Sequence, residues 1–177
     1  MKILVTPDKF LRHVANPVSK YDKKLDKDIA KMIATLKSTT DPQGVGLAAT
    51  QVGLDRRLFI ILLNGKPEIF INPELSHQSE AMLSHIHKKP KDRWLEGCLS
   101  IPKLWGFVDR PYSVEVDYLT PEEGVLVPRH RKFEDDKSAY VQHENDHING
   151  ILFTDHILEQ GGELFEETDH GMIPVKI

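Results

Sequence analysis

Between Asp22 and Thr39 the apolar residues Leu25, Ile29, Met32, Ile33 and Leu36 recur at helical spacing and share one face. The pattern predicts a helix packed on a core, with Lys20, Lys23, Lys24, Lys27 and Lys31 as a solvated face rather than a binding patch. LRHVANPV (11–18) contains a proline and has no period, so it reads as an ordered loop, and DPQGVGLAATQVG (41–53) as a loop of glycine and small residues. LFIILL (58–63) and EIFIN (68–72) flank Asn64-Gly65, a pair suited to the positive φ values of a two-residue hairpin turn. SHQSEAMLSHIHKKPKDR (76–93) is polar and aperiodic and predicts a surface excursion. YSVEVDYL (112–119) alternates as a half-buried strand, PEEG (121–124) predicts a turn, and VLVPRHRKF (125–133) predicts the returning strand. A second helix should begin at Asp135 or Asp136, either of which can cap it, and end by Gly150 as the residue just past its C-terminus.

Beyond that helix, residues 159–170 carry five acidic side chains and no lysine or arginine. Gly161, Gly162, Gly171 and Pro174 argue against a long helix there and for an extended, β-like end. With no repeat and no linker, the expected architecture is α+β rather than a βαβ array. It is expected to form one domain, residues 1–177, with an acidic, extended segment at 156–177.

Composition changes this picture little. The chain has 177 residues, 40% hydrophobic and 28% charged, which suits a globular domain with a real core. A formal net charge of −4 provides no general electrostatic reason to expect nucleic acid or an anionic membrane as partner. No apolar run approaches the roughly 20 residues needed to span a bilayer, and MKILVTPDKF lacks the features of a secretory signal. The single cysteine, Cys98, excludes an internal disulfide and suits a reducing compartment, so a cytoplasmic location is expected.

The chemistry concentrates in VQHENDHING (141–150). Residues i and i+4 of a helix share a face, so His143 and His147 can aim ring nitrogens at one metal ion, with Glu144 placed to reach a bound water. A catalytic site of this kind wants three protein ligands and an open position. Gly150 fits the glycine of H-E-x-x-H-x-x-G-x-x-H, but Phe153 stands where the last histidine belongs and cannot bind metal. Asp155, His156 and Glu159 are downstream candidates for the third ligand. Cys98, in WLEGCLSIP, is another, the more interesting because that segment reads as a tight extended turn.

Three separated segments, GVGLAATQVG (44–53), EGCLS (96–100) and QHENDH (142–147), resemble in order and spacing the three signature motifs of peptide deformylases. LRHVANPV, INP (71–73) and GILFTD (150–155) are also similar to that family, and the resemblance covers nearly the whole chain. The family's fold sets antiparallel or mixed β-sheets around a central helix that carries the metal-binding histidines. The resemblance implies that Cys98, His143 and His147 hold a divalent metal, typically ferrous iron, with zinc, nickel or cobalt accommodated. It makes Glu144 the general base and acid, and Gln51 with the Leu99 backbone N–H the oxyanion donors. Gly46 would pair with an extended substrate, with Val45, Glu96, Gly97 and Tyr140 also at the substrate side and Glu96 organising the site. The implied activity is removal of the N-formyl group from N-formylmethionyl peptides, releasing formate.

That activity is chemically coherent. A metal held by one thiolate and two imidazoles keeps a fourth position for water and can lower its pKa to about 7, so that hydroxide attacks the formyl carbon. Glu144 then passes the proton to the departing amine. An apolar pocket for the methionine side chain is expected from Val45, Leu99, Tyr140 and His143, and Asp146 is a candidate partner for the second nitrogen of His147. The chain departs from the family where Trp105 replaces an arginine found in some members and where the 76–93 segment is long; His77, His85 and His87 within it read as surface residues. Some deformylases dock on the ribosome through a basic C-terminal helix. The acidic tail here does not support that, leaving only transient ribosome proximity, with no membrane and no specific nucleic acid as partner.

Overall fold

The computed structural model describes residues 1–89 and 95–175. Asp22 accepts a hydrogen bond from the Leu25 N–H (2.8 Å) and starts helix α1, Lys23–Lys37, inside the predicted 22–39. Leu25, Ile29, Met32 and Leu36 are buried and Ile33 partly so, while Lys20, Lys23, Lys24, Lys27 and Lys31 are exposed. The glycine-rich loop that follows is more ordered than its composition suggests. It contains strand β1 (Gly46–Ala48) and a 3₁₀ turn (Ala49–Val52).

Strands β2 (Leu58–Leu63) and β3 (Lys66–Ser76) form the expected hairpin, with Asn64 and Gly65 at φ 52° and 75°. Asn72 also takes positive φ, and its side chain amide brackets Val18, accepting from the Val18 N–H and donating to the Val18 carbonyl, both at 2.8 Å. That bond pins the N-terminal loop to the sheet. The segment after β3 is less loose than predicted. It holds a short helix α2 (Leu83–Ile86) with Leu83 buried, while residues 90–93 of the predicted excursion lie outside the described residues.

Next come β4 (Glu96–Cys98), β5 (Ile101–Gly106), β6 (Ser113–Glu122) and β7 (Val125–Glu134). The predicted turn at 121–124 is shorter: β6 and β7 pair through Glu122 and Val125, leaving Glu123-Gly124 alone to reverse the chain. Helix α3 spans Asp136–Ile148. Its expected acidic cap is not made by Asp135, whose carboxylate instead pairs with His87 (2.7 Å). Gly150 does follow the helix as predicted, at φ 72°, and it has a second reason to be glycine: a Cβ there would lie 2.6 Å from the Arg12 carbonyl oxygen.

The predicted extended segment 156–177 needs correction at its start. Helix α4 occupies Phe153–Gln160, where Phe153 and Ile157 point into the core, and the chain becomes extended only in β8 (Leu164–Thr168) and β9 (Gly171–Val175). Tertiary burial of that two-residue apolar face outweighs the glycines that follow it. Residues 176 and 177 lie outside the described residues.

All strand pairs are antiparallel, in a five-stranded sheet ordered β1-β2-β3-β6-β7 and a four-stranded sheet ordered β4-β5-β8-β9. The continuous apolar run of β2 follows from cover on both faces: Leu58 and Ile60 pack toward α1, Phe59 and Ile61 toward α3. On its far side α3 meets the second sheet, where Cys98 joins a cluster with Phe153, Ile157 and Leu164. The α+β class and the central histidine-bearing helix therefore stand as expected. Among the described residues no helix is long and apolar enough to cross a membrane.

Truncating the buried face of α1 tests this packing. Leu25→Ala should cost about 2–5 kcal/mol in urea unfolding, whereas Lys27→Ala on the exposed face should stay within about 0.5 kcal/mol.

Candidate metal and active site

Helix α3 projects His143 and His147 from one face, with ring centroids 4.9 Å apart and planes at 82°. Strand β4 brings Cys98 up to them, its Sγ 3.2 Å from His147 Nε2, and the three donor atoms all lie within 4.8 Å of one another. The structure thus gathers Cys98 rather than the downstream candidates. Asp155 is engaged by Arg12 and the Leu152 N–H, and His156 donates toward Asp146.

The sulfur is placed as an acceptor. Ser100 N–H lies 3.4 Å away and Gln51 Nε2 3.5 Å away, both directed at the sulfur. Gln51 cannot flip without loss, because its Oε1 accepts from the Ala48 N–H (2.8 Å) and its Nε2 also donates to Ser100 Oγ (3.1 Å). Thr50, on the same 3₁₀ turn, donates to the carbonyl of His147 (3.0 Å) and ties this turn to α3.

One thiolate and two imidazoles form a donor set suited to zinc, iron, nickel or cobalt. Two further observations fit a cation there. Glu144 Oε2 is buried without a hydrogen-bond partner, an expensive arrangement unless something else occupies the space before it. Burial pushes the Glu144 carboxyl up to about 7, leaving it able to take or release a proton near neutrality. Burial, with the charge of His143 beside it, also holds His147 below its ordinary value, as a neutral ligand requires. Against burial, Cys98 and Glu96 hold His143 well above its ordinary value, so a cation arriving there displaces a proton.

A buried arginine organises the far side of the site. Arg110 donates from Nε and Nη2 to the two oxygens of Glu96 (2.5 and 3.0 Å) and from Nη1 to Asp146 (2.9 Å). Glu96 in turn accepts from His143 Nδ1 (2.9 Å), which leaves Nε2 for the metal. Burial alone would raise the Glu96 carboxyl, but Arg110 and His143 outweigh it and hold it down at about 2. The expected contact between Asp146 and His147 is not made: adjacent helical residues point to different faces, and Asp146 serves Arg110 and His156 instead. Arg110 was not singled out in the sequence, and its only signal is indirect, in that a buried Glu96 needs a cation.

A cavity of about 280 Å³ opens over these groups. Val45, Gly46, Gln51, Glu96, Gly97, Cys98, Leu99, Tyr140, His143 and Glu144, all expected at the site, line it together with Trp105. Gly46 admits Glu144 by lacking a side chain, since a Cβ would lie 2.6 Å from its Cδ.

Because the folded Glu96 carboxyl sits below its ordinary 4.5, the stability it contributes is complete above that value and is lost as pH falls toward about 2. Metal-free protein followed by circular dichroism should lose stability across that window. Arg110→Leu should abolish this component and be destabilised at neutral pH by about 3–5 kcal/mol, because an unpaired charge is left buried.

Comparison with known proteins agrees with this geometry. The profile of the family described as polypeptide deformylase matches residues 1–162. A peptide deformylase of Mesorhizobium japonicum is 39% identical over 160 residues, covering 88% of this chain and 82% of that protein. The crystal structure of peptide deformylase from Thermotoga maritima aligns with TM-score 0.74 at 34% identity, covering 88% of this chain and 95% of its own. A class I type b peptide deformylase from Acinetobacter baumannii, crystallised with Met-Ala-Ser bound, aligns with TM-score 0.75 at 30% identity, covering 89% and 98%. By its sequence match over residues 1–162, which include the histidine helix, the chain belongs to the polypeptide deformylase family.

Proposed function

We propose that this protein is a metal-dependent peptide deformylase, a single catalytic domain that hydrolyses the N-formyl group of N-formylmethionyl peptides of nascent proteins. The observation that carries the reading is the convergence of Cys98, His143 and His147 beside the unpaired Glu144 carboxylate, lining one cavity. Cys98, His143 and His147 would hold the metal, and when bound it would supply Lewis acidity and an activated water. Ferrous iron is the proposed native ion, with zinc, nickel or cobalt as alternatives that the same donors accept.

Glu144 takes a proton from the attacking water and delivers it to the amine nitrogen as the formyl C–N bond breaks, leaving formate and a free amino terminus. Its carboxyl, near 7, suits both halves of that transfer. Gln51 Nε2 and the Leu99 N–H supply donors to the oxygen that becomes anionic, and the bond from Ala48 keeps the Gln51 amide aimed. Gly46 and Gly97 offer backbone to an extended peptide, and Val45, Leu99, Tyr140 and His143 form the methionine pocket. The Acinetobacter baumannii relative with Met-Ala-Ser bound supports a peptide product of this kind. A cytoplasmic setting is proposed, with transient proximity to ribosomes; residues 164–175 form β8 and β9 rather than a basic helix.

Formate release from formyl-Met peptides, measured with anaerobically prepared ferrous enzyme, tests the reading. Glu144→Ala should lower kcat by about 10²–10⁴ while retaining metal; a wild-type protein as inactive as that variant would end it. Tyr140→Ala should lose discrimination against formyl peptides beginning with residues other than methionine, and unchanged discrimination would count against the pocket assignment.

A further inference from the structure

Asp155, His156 and Glu159 follow the histidine helix in sequence, and all three stay outside the metal cluster. His156 nevertheless reaches the site by another route. It lies on α4, which faces the metal ligands through apolar contacts. The Phe153 ring is 6.2 Å from the His143 ring, at 32°, and Phe153 and Ile157 share a buried cluster with Cys98. Residues 156 and 157 stand three and four places after 153, so one face of the helix presents all three.

From that face His156 Nε2 meets Asp146 Oδ2 at 2.8 Å, the same oxygen that accepts from Arg110 Nη1 at 2.9 Å. Arg110 directs its Nε and Nη2 at Glu96, and Glu96 Oε2 accepts from His143 Nδ1 at 2.9 Å. An unbroken run of hydrogen bonds thus leads from His156 through Asp146, Arg110 and Glu96 to His143. Only its outer end is open to solvent: the His156 side chain is 26% exposed, against 4% for Arg110 and 7% for Glu96. That end can be replaced without opening the core.

Charge makes the outer end matter. Two carboxylates, Glu96 and Asp146, share one guanidinium, so Arg110 by itself leaves one negative charge over. Among the described residues Asp146 has ion pairs with Arg110 and His156 alone. The hydrogen bond to Asp146 holds His156 above its ordinary value, against burial, so the ring can supply the second cation. An Asp146 deprived of that donor competes harder for the guanidinium on which Glu96 depends, because a largely buried carboxylate needs its partners.

We propose that His156 is a positioning residue for the metal centre: by pairing with Asp146 it leaves Arg110 committed to Glu96, which aims the His143 ring at the ion. The inference rests on the metal-site reading of Cys98, His143 and His147. Removing the hydrogen-bond partner of a ligating histidine lowers metal affinity by about 10–100-fold. His156 stands farther out along the run, so the lower end applies.

The test loads the metal-free full chain with cobalt(II) in competition with a chelator and records the visible absorption of the cobalt form. His156→Ala should weaken cobalt binding by about tenfold and alter the absorption bands, because the His143 ring is no longer held at one angle. His156→Arg keeps a cation and N–H donors on the same helix face and should recover most of the affinity and the wild-type bands. His156→Gln keeps a donor without the charge and should fall between the two. Leu158→Ala, on the exposed side of α4, should leave affinity and spectrum unchanged. Unaltered cobalt affinity and bands in His156→Ala would overturn the proposal, even if that variant melts at a lower temperature. So would a loss that His156→Arg fails to recover, or an equal loss in Leu158→Ala, since either marks damage to the helix rather than a lost contact. A wild-type chain that binds no cobalt would instead overturn the metal-site reading, and this inference with it.

Discussion

Arg110 is a cation removed from water, and the centre of the molecule is arranged so that removing it is tolerable. Its guanidinium meets both oxygens of Glu96 and one of Asp146. Those carboxylates sit on different elements, β4 and α3, and Asp146 reaches on to His156 of α4. A buried charge of this kind binds its partners strongly because any gap leaves a full desolvation cost uncompensated. The network therefore locks the strand bearing Cys98 to the helix bearing His143 and His147. Side chains from two chain segments 45 residues apart, Cys98 and His143, can meet reproducibly only if something rigid joins those segments.

Two buried glutamates show how the fold separates roles among identical side chains. Glu96 has an arginine and an imidazole as partners and is held ionised, at about 2. Glu144, next to His143 but lacking a partner for Oε2, is pushed up by burial to about 7. The first is an anchor that orients His143, and the second is free to exchange a proton. Their difference comes from what packs around them, since both are buried beside the same cleft.

The family match ends at residue 162, just past α4, and the C-terminal hairpin of β8 and β9 follows it beside the cleft. It extends the smaller sheet by two strands and brings Glu167 against Trp105.

Much was readable in advance because it depends on short-range physics. The i, i+4 spacing of His143 and His147, the helical stripe of Leu25, Ile29, Met32 and Leu36, and the positive-φ pair Asn64-Gly65 are local patterns that each imply their structure. Cys98 became legible as a candidate third ligand through the order of three motifs, and the downstream helix α4 was missed because glycines beyond it masked an apolar face visible only against the core. Asp146 was assigned to the wrong neighbour for a related reason: adjacency along a helix does not mean adjacency in space. Composition and local pattern determined the elements, the metal-binding residue types and the family. Which carboxylate would be held ionised, which would be left to carry a proton, and which arginine would bind β4 to α3 depended on long-range packing, because burial and charge pairing exist only once distant segments have met.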